Sequence, residues 1–310
     1  MTGATGHIGS YIVRDLAYKI PSVEIVMLDK NIVEKYLLLL DLPSTCDYTF
    51  HDVDILSGNL CPLFDNVNIV IHLAAITDAT SSFENQDEII SKNTEATSKI
   101  AEACINSGSR MIALSTTSVY GTIKDRVSED CSFEDINPQS PYALSKIKEE
   151  EISNTLCLNK GLKAVICRFG TIFGISPSMK YHTAVNKFCR QAVSGESITV
   201  WSTALDQKRP YLDIVDASNI ISFIINNDLF DGRIYNASTI TSTVRHIIDT
   251  IREFVPNIDM KFVDEKIMNK WSYGVSCERL INSGFTFTGD LHRGIGDTIA
   301  LLRSSNHKIE

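Results

Sequence analysis

The sequence predicts an α/β fold, a doubly wound parallel sheet with helices on both faces and a smaller C-terminal lobe. Three observations carry it. Apolar strand-like runs alternate with helical patterns through the first half, and glycines at three-residue spacing open the first helix. After residue 170 the alternation gives way to polar loops and shorter elements.

The first element is the turn "TGATGHIGS", in which Gly3, Gly6 and Gly9 precede Ile12, Val13 and Leu16 at helical spacing. Residues without Cβ let the backbone approach a pyrophosphate at a helix N-terminus. Such a turn normally follows a buried strand, and only Met1 and Thr2 stand before it. We therefore expect the first strand to be missing from the chain. The expectation is an upstream apolar segment, with a valine start codon read as Met1; a truncated gene and a partial fragment are the alternatives.

The runs "VEIVML" (23–28), "NIVIHLAA" (68–75), "RMIALS" (110–115) and "KAVICRFG" (163–170) are read as parallel strands. Helices are expected at about 87–107 and 142–159, the second introduced by Pro141. Ligands then bind at the carboxyl ends of the strands. A core domain over 1–170 and a substrate lobe over 171–310 follow, the chain returning to the core at about 213–237. In the second part a helix at about 183–194, the short strand "SITVW" and the helices "VDASNIISFIINN" and "VRHIIDTIREFV" are expected.

Composition narrows the function. The 310 residues are 44% hydrophobic and 22% charged, as in ordinary globular proteins. A net charge of -9 and a pI near 5.3 disfavour a nucleic-acid partner, which needs clustered basic surface. The longest apolar runs are too short to span a bilayer, so no membrane partner is expected. Eight scattered cysteines show no C-x-x-C pair and no metal-ligand spacing, which reads as reduced thiols in a cytoplasmic protein without a bound metal.

Two further features point to chemistry. Asp29 closes the run "VEIVML" about 20 residues beyond the glycine turn, where a carboxylate binds adenosine ribose hydroxyls and repels a 2′-phosphate, favouring NAD over NADP. In "PYALSK", Tyr142 and Lys146 stand four apart on one helix face. A phenol of pKa about 10 is a poor base at neutral pH, and a neighbouring ammonium with an oxidised nicotinamide stabilises its phenolate.

Together "TGATGHIG", Asp29, "HLAA", "STTSVYG", "PYALSK" and "RPYLDIVD" resemble the extended short-chain dehydrogenase/reductase family, specifically its NAD-dependent nucleotide-sugar epimerases and dehydratases, UDP-glucose 4-epimerase among them. The resemblance runs from Thr2 to the closing "GDLHRGIGDTIALLR". It implies a Rossmann-type fold, a nucleotide-diphosphate sugar as substrate and a homodimer formed through two core helices. It implies Tyr142 as catalytic base, Lys146 as its electrostatic partner and a nicotinamide ribose ligand, and Thr116 on the reacting sugar oxygen. For the cofactor it implies Gly3, Gly6, Ile8 and Gly9 at the pyrophosphate, Asp29 at the ribose, and Asp54 and Ile55 at the adenine. Leu73, Ala74 and Ala75 would line the channel to the nicotinamide, with Asn93 bracing the loops. For the sugar nucleotide it implies Arg209, Asn186, Thr117 and Thr171, the last in a position where many family members carry asparagine.

Three reactions share such a scaffold. A 4-epimerase oxidises and re-reduces one sugar carbon and leaves its cofactor unchanged. The family's 4,6-dehydratases place Asp and Glu directly after the catalytic Ser or Thr, and here those positions are Thr117 and Ser118, which disfavours dehydration. A reductase more often uses NADPH, against which Asp29 argues, although His182 is a conceivable extra acid. A non-catalytic NAD-binding sensor or structural subunit would be marked by loss of the tyrosine and lysine, and both are present.

Overall fold

A computed structural model of the chain describes residues 1–30, 35–77, 85–121, 124–263 and 272–305. Helix α1 (His7–Lys19) follows the glycine turn. Strands β1 (Glu24–Asp29) and β2 (Asp47–Asp52) pair in parallel in register Glu24 to Asp47. Strand β3 (Ile69–His72), helix α2 (Gln86–Ser107) and strand β4 (Arg110–Thr116) come next, and a two-residue strand β5 (Arg126–Val127) leads to helix α3 (Pro141–Lys160) and strand β6 (Ala164–Phe169).

Four of these strands match the expected runs, and β2 was not anticipated. Its residues alternate exposed and half-buried, so "DYTFHD" lacks the continuous apolar character that marks the inner strands. An edge position explains the pattern, because among the described residues one side of β2 has no neighbouring strand.

Strand β4 pairs with β3 on one side and β6 on the other, all in parallel. The join to β1 is made by Thr2, which bridges Leu28 of β1 and His72 of β3, with backbone bonds from Thr2 N to Ile71 O (3.0 Å) and from Leu28 N to Met1 O (2.8 Å). Met1 and Thr2 thus lie where the first strand was expected, in the middle of the sheet with a neighbour on each side. Side chains alternate across this sheet: Ile25, Met27, Ile112 and Val165 point into one apolar cluster with Ile12 and Leu16 of α1. Leu28, Met111, Ala113 and Ile166 point into another with Ile100 of α2 and Leu156 of α3. Both faces are therefore apolar, and each buried Leu or Ile contributes about 1.5–3 kcal/mol.

The rest of the chain builds a second layer system and returns to the first. Strand β7 (Thr171–Phe173), helix α4 (Ala184–Val193), strand β8 (Ile198–Trp201) and strand β9 (Lys208–Asp213) are followed by helix α5 (Ile214–Asn226) and strand β10 (Ile234–Ala237). Helix α5 packs on α1, and β10 extends the main sheet beside β6. Strand β11 (Ile240–Thr243), helix α6 (Val244–Phe254), strands β12 (Met260–Val263) and β13 (Gly274–Val275), and helices α7 (Glu278–Asn282) and α8 (Leu291–Ser305) complete the chain. Phe173, Val185, Phe188, Ile247 and Ile295 form a separate core for this part. No described helix is long and apolar enough to cross a membrane.

Candidate active site

A cleft of about 1080 Å³ runs along the carboxyl ends of the main strands and opens between the two cores. Single-ligand pockets commonly hold about 300–1,000 Å³, so this one has room for two large ligands side by side.

One end is formed by the glycine turn. Gly3 adopts φ +63°, and a Cβ there would stand 2.8 Å from Ala74 N. A Cβ on Gly9 would stand 2.3 Å from Gly3 O, so the turn, the strand end at Leu73 and Ala74, and the first turn of α1 fit only without side chains. Gly6 is the N-cap and offers no side chain to the first N–H groups, and no acidic residue sits in the first turn. These donors, with the positive end of the helix, suit a pyrophosphate. Gly3, Gly6, Ile8 and Gly9 all line the cleft here.

Asp29 lies beside them at the end of β1. Its Oδ2 accepts from Thr5 N (2.9 Å) and Thr5 Oγ1 (2.6 Å), and its Oδ1 accepts from Lys30 N (2.8 Å) and Lys35 Nζ (2.9 Å). Burial works to raise its pKa, but the bonds from Thr5, Lys35 and Lys30 prevail and hold it below the ordinary carboxylate value. The charge held there opposes a 2′-phosphate. Asp54 and Ile55 line the same end, Asp54 accepting from Leu56 N (2.9 Å) and from Lys30 Nζ (3.3 Å).

Leu73, Ala74 and Ala75 line the middle of the cleft. Asn93 reaches from α2 to bond both backbone groups of Ile76, accepting from its N–H (2.8 Å) and donating to its carbonyl (3.1 Å). That pair of bonds fixes the loop leaving β3.

The reacting end gathers residues from β4 and α3. Ser140 caps α3 by accepting from Ala143 N (3.1 Å), and Pro141 occupies the first turn, which places Tyr142 and Lys146 on the face toward the cleft. Lys146 Nζ stands 5.9 Å from the Tyr142 ring centre and donates to Glu149 Oε2 at 2.8 Å. Burial raises the Tyr142 phenol pKa, Lys146 pulls it down and Glu149 pushes it up again, leaving it above its ordinary value. Burial also depresses Lys146, but Glu149 and Tyr142 outweigh this and keep the ammonium protonated. Thr116 ends β4 with its Oγ1 accepting from Ser118 N (3.1 Å) and donating to Ser118 Oγ (3.2 Å).

Toward the second core, Thr171 and Arg209 line the cleft, as do Lys180, His182 and Lys187. His182 is exposed. The Arg209 guanidinium lies 5.7 Å from the Tyr273 ring centre and donates to Lys208 O and Gln207 Oε1.

Two residues expected to bind substrate are placed elsewhere. Thr117 is buried and absent from the cleft lining, its carbonyl accepting from Tyr273 OH at 2.9 Å, and Ser118 faces the cleft instead. In the short turn that follows β4, Ser118 lines the cleft and Thr117 does not. Asn186 is fully buried on α4 and bonds the backbone of Gly174 and Lys180, which shapes the loop that carries Lys180 and His182. Sequence reading passed over Glu149, whose run "KIKEEE" looks like a solvated helix face, although its i+3 spacing from Lys146 was a usable signal. It also passed over Lys35, and nothing local marks that residue as a partner of Asp29.

Strands feeding a glycine-cradled cleft, with a Tyr–Lys pair at its far end, are the marks of a dinucleotide-binding fold. Residues 1–238 match the NAD dependent epimerase/dehydratase family, and the chain belongs to that family. It is 26% identical over 312 residues to the trifunctional UDP-glucose 4,6-dehydratase/UDP-4-keto-6-deoxy-D-glucose 3,5-epimerase/UDP-4-keto-L-rhamnose-reductase of Arabidopsis thaliana, covering 96% of this chain and 46% of the relative. The chain thus spans about half the length of that protein. It is 27% identical to an uncharacterized UDP-glucose epimerase of Bacillus subtilis (strain 168), covering 76% of this chain and 75% of the relative. Among solved structures, UDP-glucuronic acid 4-epimerase from Bacillus cereus with UDP-glucuronic acid and NAD superimposes with a TM-score of 0.85 at 23% identity, covering 98% of both chains. That likeness confirms the Rossmann-type fold.

Proposed function

We propose that the protein is an NAD-dependent epimerase of a nucleotide-diphosphate sugar, inverting C4 by transient oxidation and re-reduction. The observation that carries this reading is the composition of the reacting end. Tyr142, Lys146, Thr116 and Ser118 meet there, and the carboxylates lining the cleft among the described residues, Asp29 and Asp54, both lie at the adenosine end. A dehydratase needs an acid and a base at the positions held by Thr117 and Ser118, and hydroxyls do not serve that purpose.

NAD, when bound, would supply a reversible acceptor for the hydride that the sugar carbinol gives up from carbon. Tyr142 takes the hydroxyl proton as the carbon becomes a ketone, and returns it to the same oxygen after the sugar presents its other face. Lys146 balances the phenolate, and Thr116 Oγ1 orients the reacting oxygen by a hydrogen bond. Arg209, Lys180 and Lys187 offer charge to a diphosphate, with Arg209 suited to paired bonds to its oxygens. Residues 1–170 with the return at 213–237 act as the cofactor domain, and the remainder acts as the sugar-nucleotide lobe. A homodimer is supported by Leu144 (38% exposed) and Leu158 (86% exposed) on the outer side of α3. Eight free cysteines suit a reducing, cytoplasmic setting.

The test begins with the purified chain, denatured and assayed for released NAD, then offered UDP-glucose, UDP-galactose and UDP-glucuronic acid. Stoichiometric NAD and conversion to the C4 epimer without net NADH are expected. A 4-keto-6-deoxy product, or turnover that depends on added NADPH, would overturn the reading.

A further inference from the structure

The helix that carries Tyr142 and Lys146 also buries Glu149, at 6% exposure. It stands one helical turn beyond Lys146 and takes one of the three ammonium N–H groups at 2.8 Å. Other elements supply the rest of its shell. Thr97 of α2 donates to Oε2 at 3.0 Å, and Ser145 Oγ, which itself accepts from Asn93 Nδ2, lies 3.2 Å from Oε1.

The Thr97 bond ends a directed chain. Thr2 Oγ1 accepts from Leu73 N and Ala74 N, both at 3.2 Å, so its own proton goes to His72 Nδ1 at 2.8 Å. The ring proton then sits on Nε2 and faces Thr97 Oγ1 at 3.2 Å, which leaves the Thr97 proton for Glu149. Burial, and after it Lys146, pushes the His72 pKa down to about 3, so the imidazole stays neutral and the chain keeps its direction. The links run in one direction, and the last delivers a donor to the carboxylate.

We propose that Glu149 is a positioning residue of the reaction centre: it restrains the Lys146 ammonium and offsets its charge, so that Lys146 alone does not draw the proton from Tyr142. The inference rests on the reading of Tyr142 as the base. Two N–H groups of Lys146 are left for the cofactor's ribose hydroxyls, and the phenol faces an ion pair in place of a bare cation. In the NAD-loaded protein the positive nicotinamide then makes the difference, which ties the base to the oxidised cofactor. The charged and titratable groups around the pair are Tyr142 and Glu150 on α3, Arg168 on β6 and His72 on β3. From α2 and β4 come the neutral Asn93, Thr97, Ser115 and Thr116. Arg168 and Glu150 satisfy each other, so loss of Glu149 leaves Lys146 as the net charge beside the phenol.

The experiment is a titration of protein labelled with 13Cζ-tyrosine, from about pH 6 to about pH 12, stripped of nucleotide and again loaded with NAD. The Tyr142 resonance is identified by its loss in Tyr142→Phe. In Glu149→Gln, which keeps the shape and hydrogen-bonding reach of the side chain, the Tyr142 midpoint is expected to fall by about one unit. An unchanged or raised midpoint would overturn the inference. The unsubstituted protein gives a second decision that needs no variant to fold. Without nucleotide its Tyr142 must ionise at or above the free-phenol value of about 10, and ionisation well below that value refutes the offset. Neither readout uses a sugar, so failure of every substrate to turn over would count against the proposed epimerase and not against this arrangement.

Discussion

Two buried ion pairs stand one residue apart on α3 and are built to opposite ends. Glu150 turns to Arg168 of β6, which grips it with two bonds, Nε to Oε1 at 2.8 Å and Nη2 to Oε2 at 2.6 Å, while Nη1 donates to Tyr120 OH at 2.8 Å. Tyr120 OH passes its own proton to Asn236 Oδ1 at 2.8 Å, and Ser115 donates to Glu150, so the network is closed on protein groups. Glu149 turns to Lys146, a point charge with one bond to the carboxylate and the cleft on its other side. The planar fork of arginine suits a sealed structural joint between α3, β6 and β10, and the three rotatable donors of lysine suit a joint that still has a ligand to meet. Burial alone therefore does not separate structural from functional charge. What separates them is whether the cation's donors are used up inside the protein.

Substitutions at the two joints should separate the same way. Lys146→Met should lower turnover by about 10²–10⁴-fold, the usual worth of assisted proton transfer, as measured by initial rates on the sugar identified in the panel above. Glu150→Gln should leave a buried guanidinium short of its partner and cost about 3–5 kcal/mol in urea unfolding. If instead it costs little stability and removes turnover, the assignment of the sealed joint as structural is wrong. The stability cost would come without movement of the Tyr142 midpoint, in contrast to Glu149→Gln.

A smaller effect is expected from pH. His72 is held neutral down to about 3 and His7 down to about 4, both chiefly by burial, whereas an unfolded histidine takes up its proton near 6.5. The unfolded chain then binds more protons than the native one between those values. Stability is thus fully present above the unfolded pKa and is lost as pH falls toward 3, by up to about 1.4 kcal/mol per pH unit for each histidine. His72→Gln should flatten part of that slope in unfolding measured between pH 3 and 7, and an unaltered slope would show that the ring is not kept neutral. The least effect is expected at Thr117→Val, whose side chain is out of the cleft, against Ser118→Ala beside Thr116. Kinetics in which Thr117→Val is the more damaged of the two would reverse their placement.

Much of this architecture was legible because it rests on local rules. The continuous runs of β1, β3, β4 and β6 announce strands covered on both faces, and the glycine spacing announces a backbone that must approach something. Edge strand β2 was illegible because its burial is supplied on one side only. The burial of Asn186 was illegible because a polar residue on α4 looks the same in sequence whether it lines a cleft or, as here, bonds backbone groups of a loop 6 to 12 residues away in the chain.

The sequence by itself determined the alternation that folds as a doubly wound sheet, the cradle at Gly3, Gly6 and Gly9, and the pairing of Tyr142 with Lys146, since each follows from spacing along a few turns of chain. The tertiary structure alone decided which of Thr117 and Ser118 faces the cleft, that Lys35 reaches Asp29, and that Glu149 and Glu150 part to different cations. Those outcomes depend on the direction in which a side chain leaves the backbone and on partners brought from distant strands and helices, and neither is encoded in local pattern.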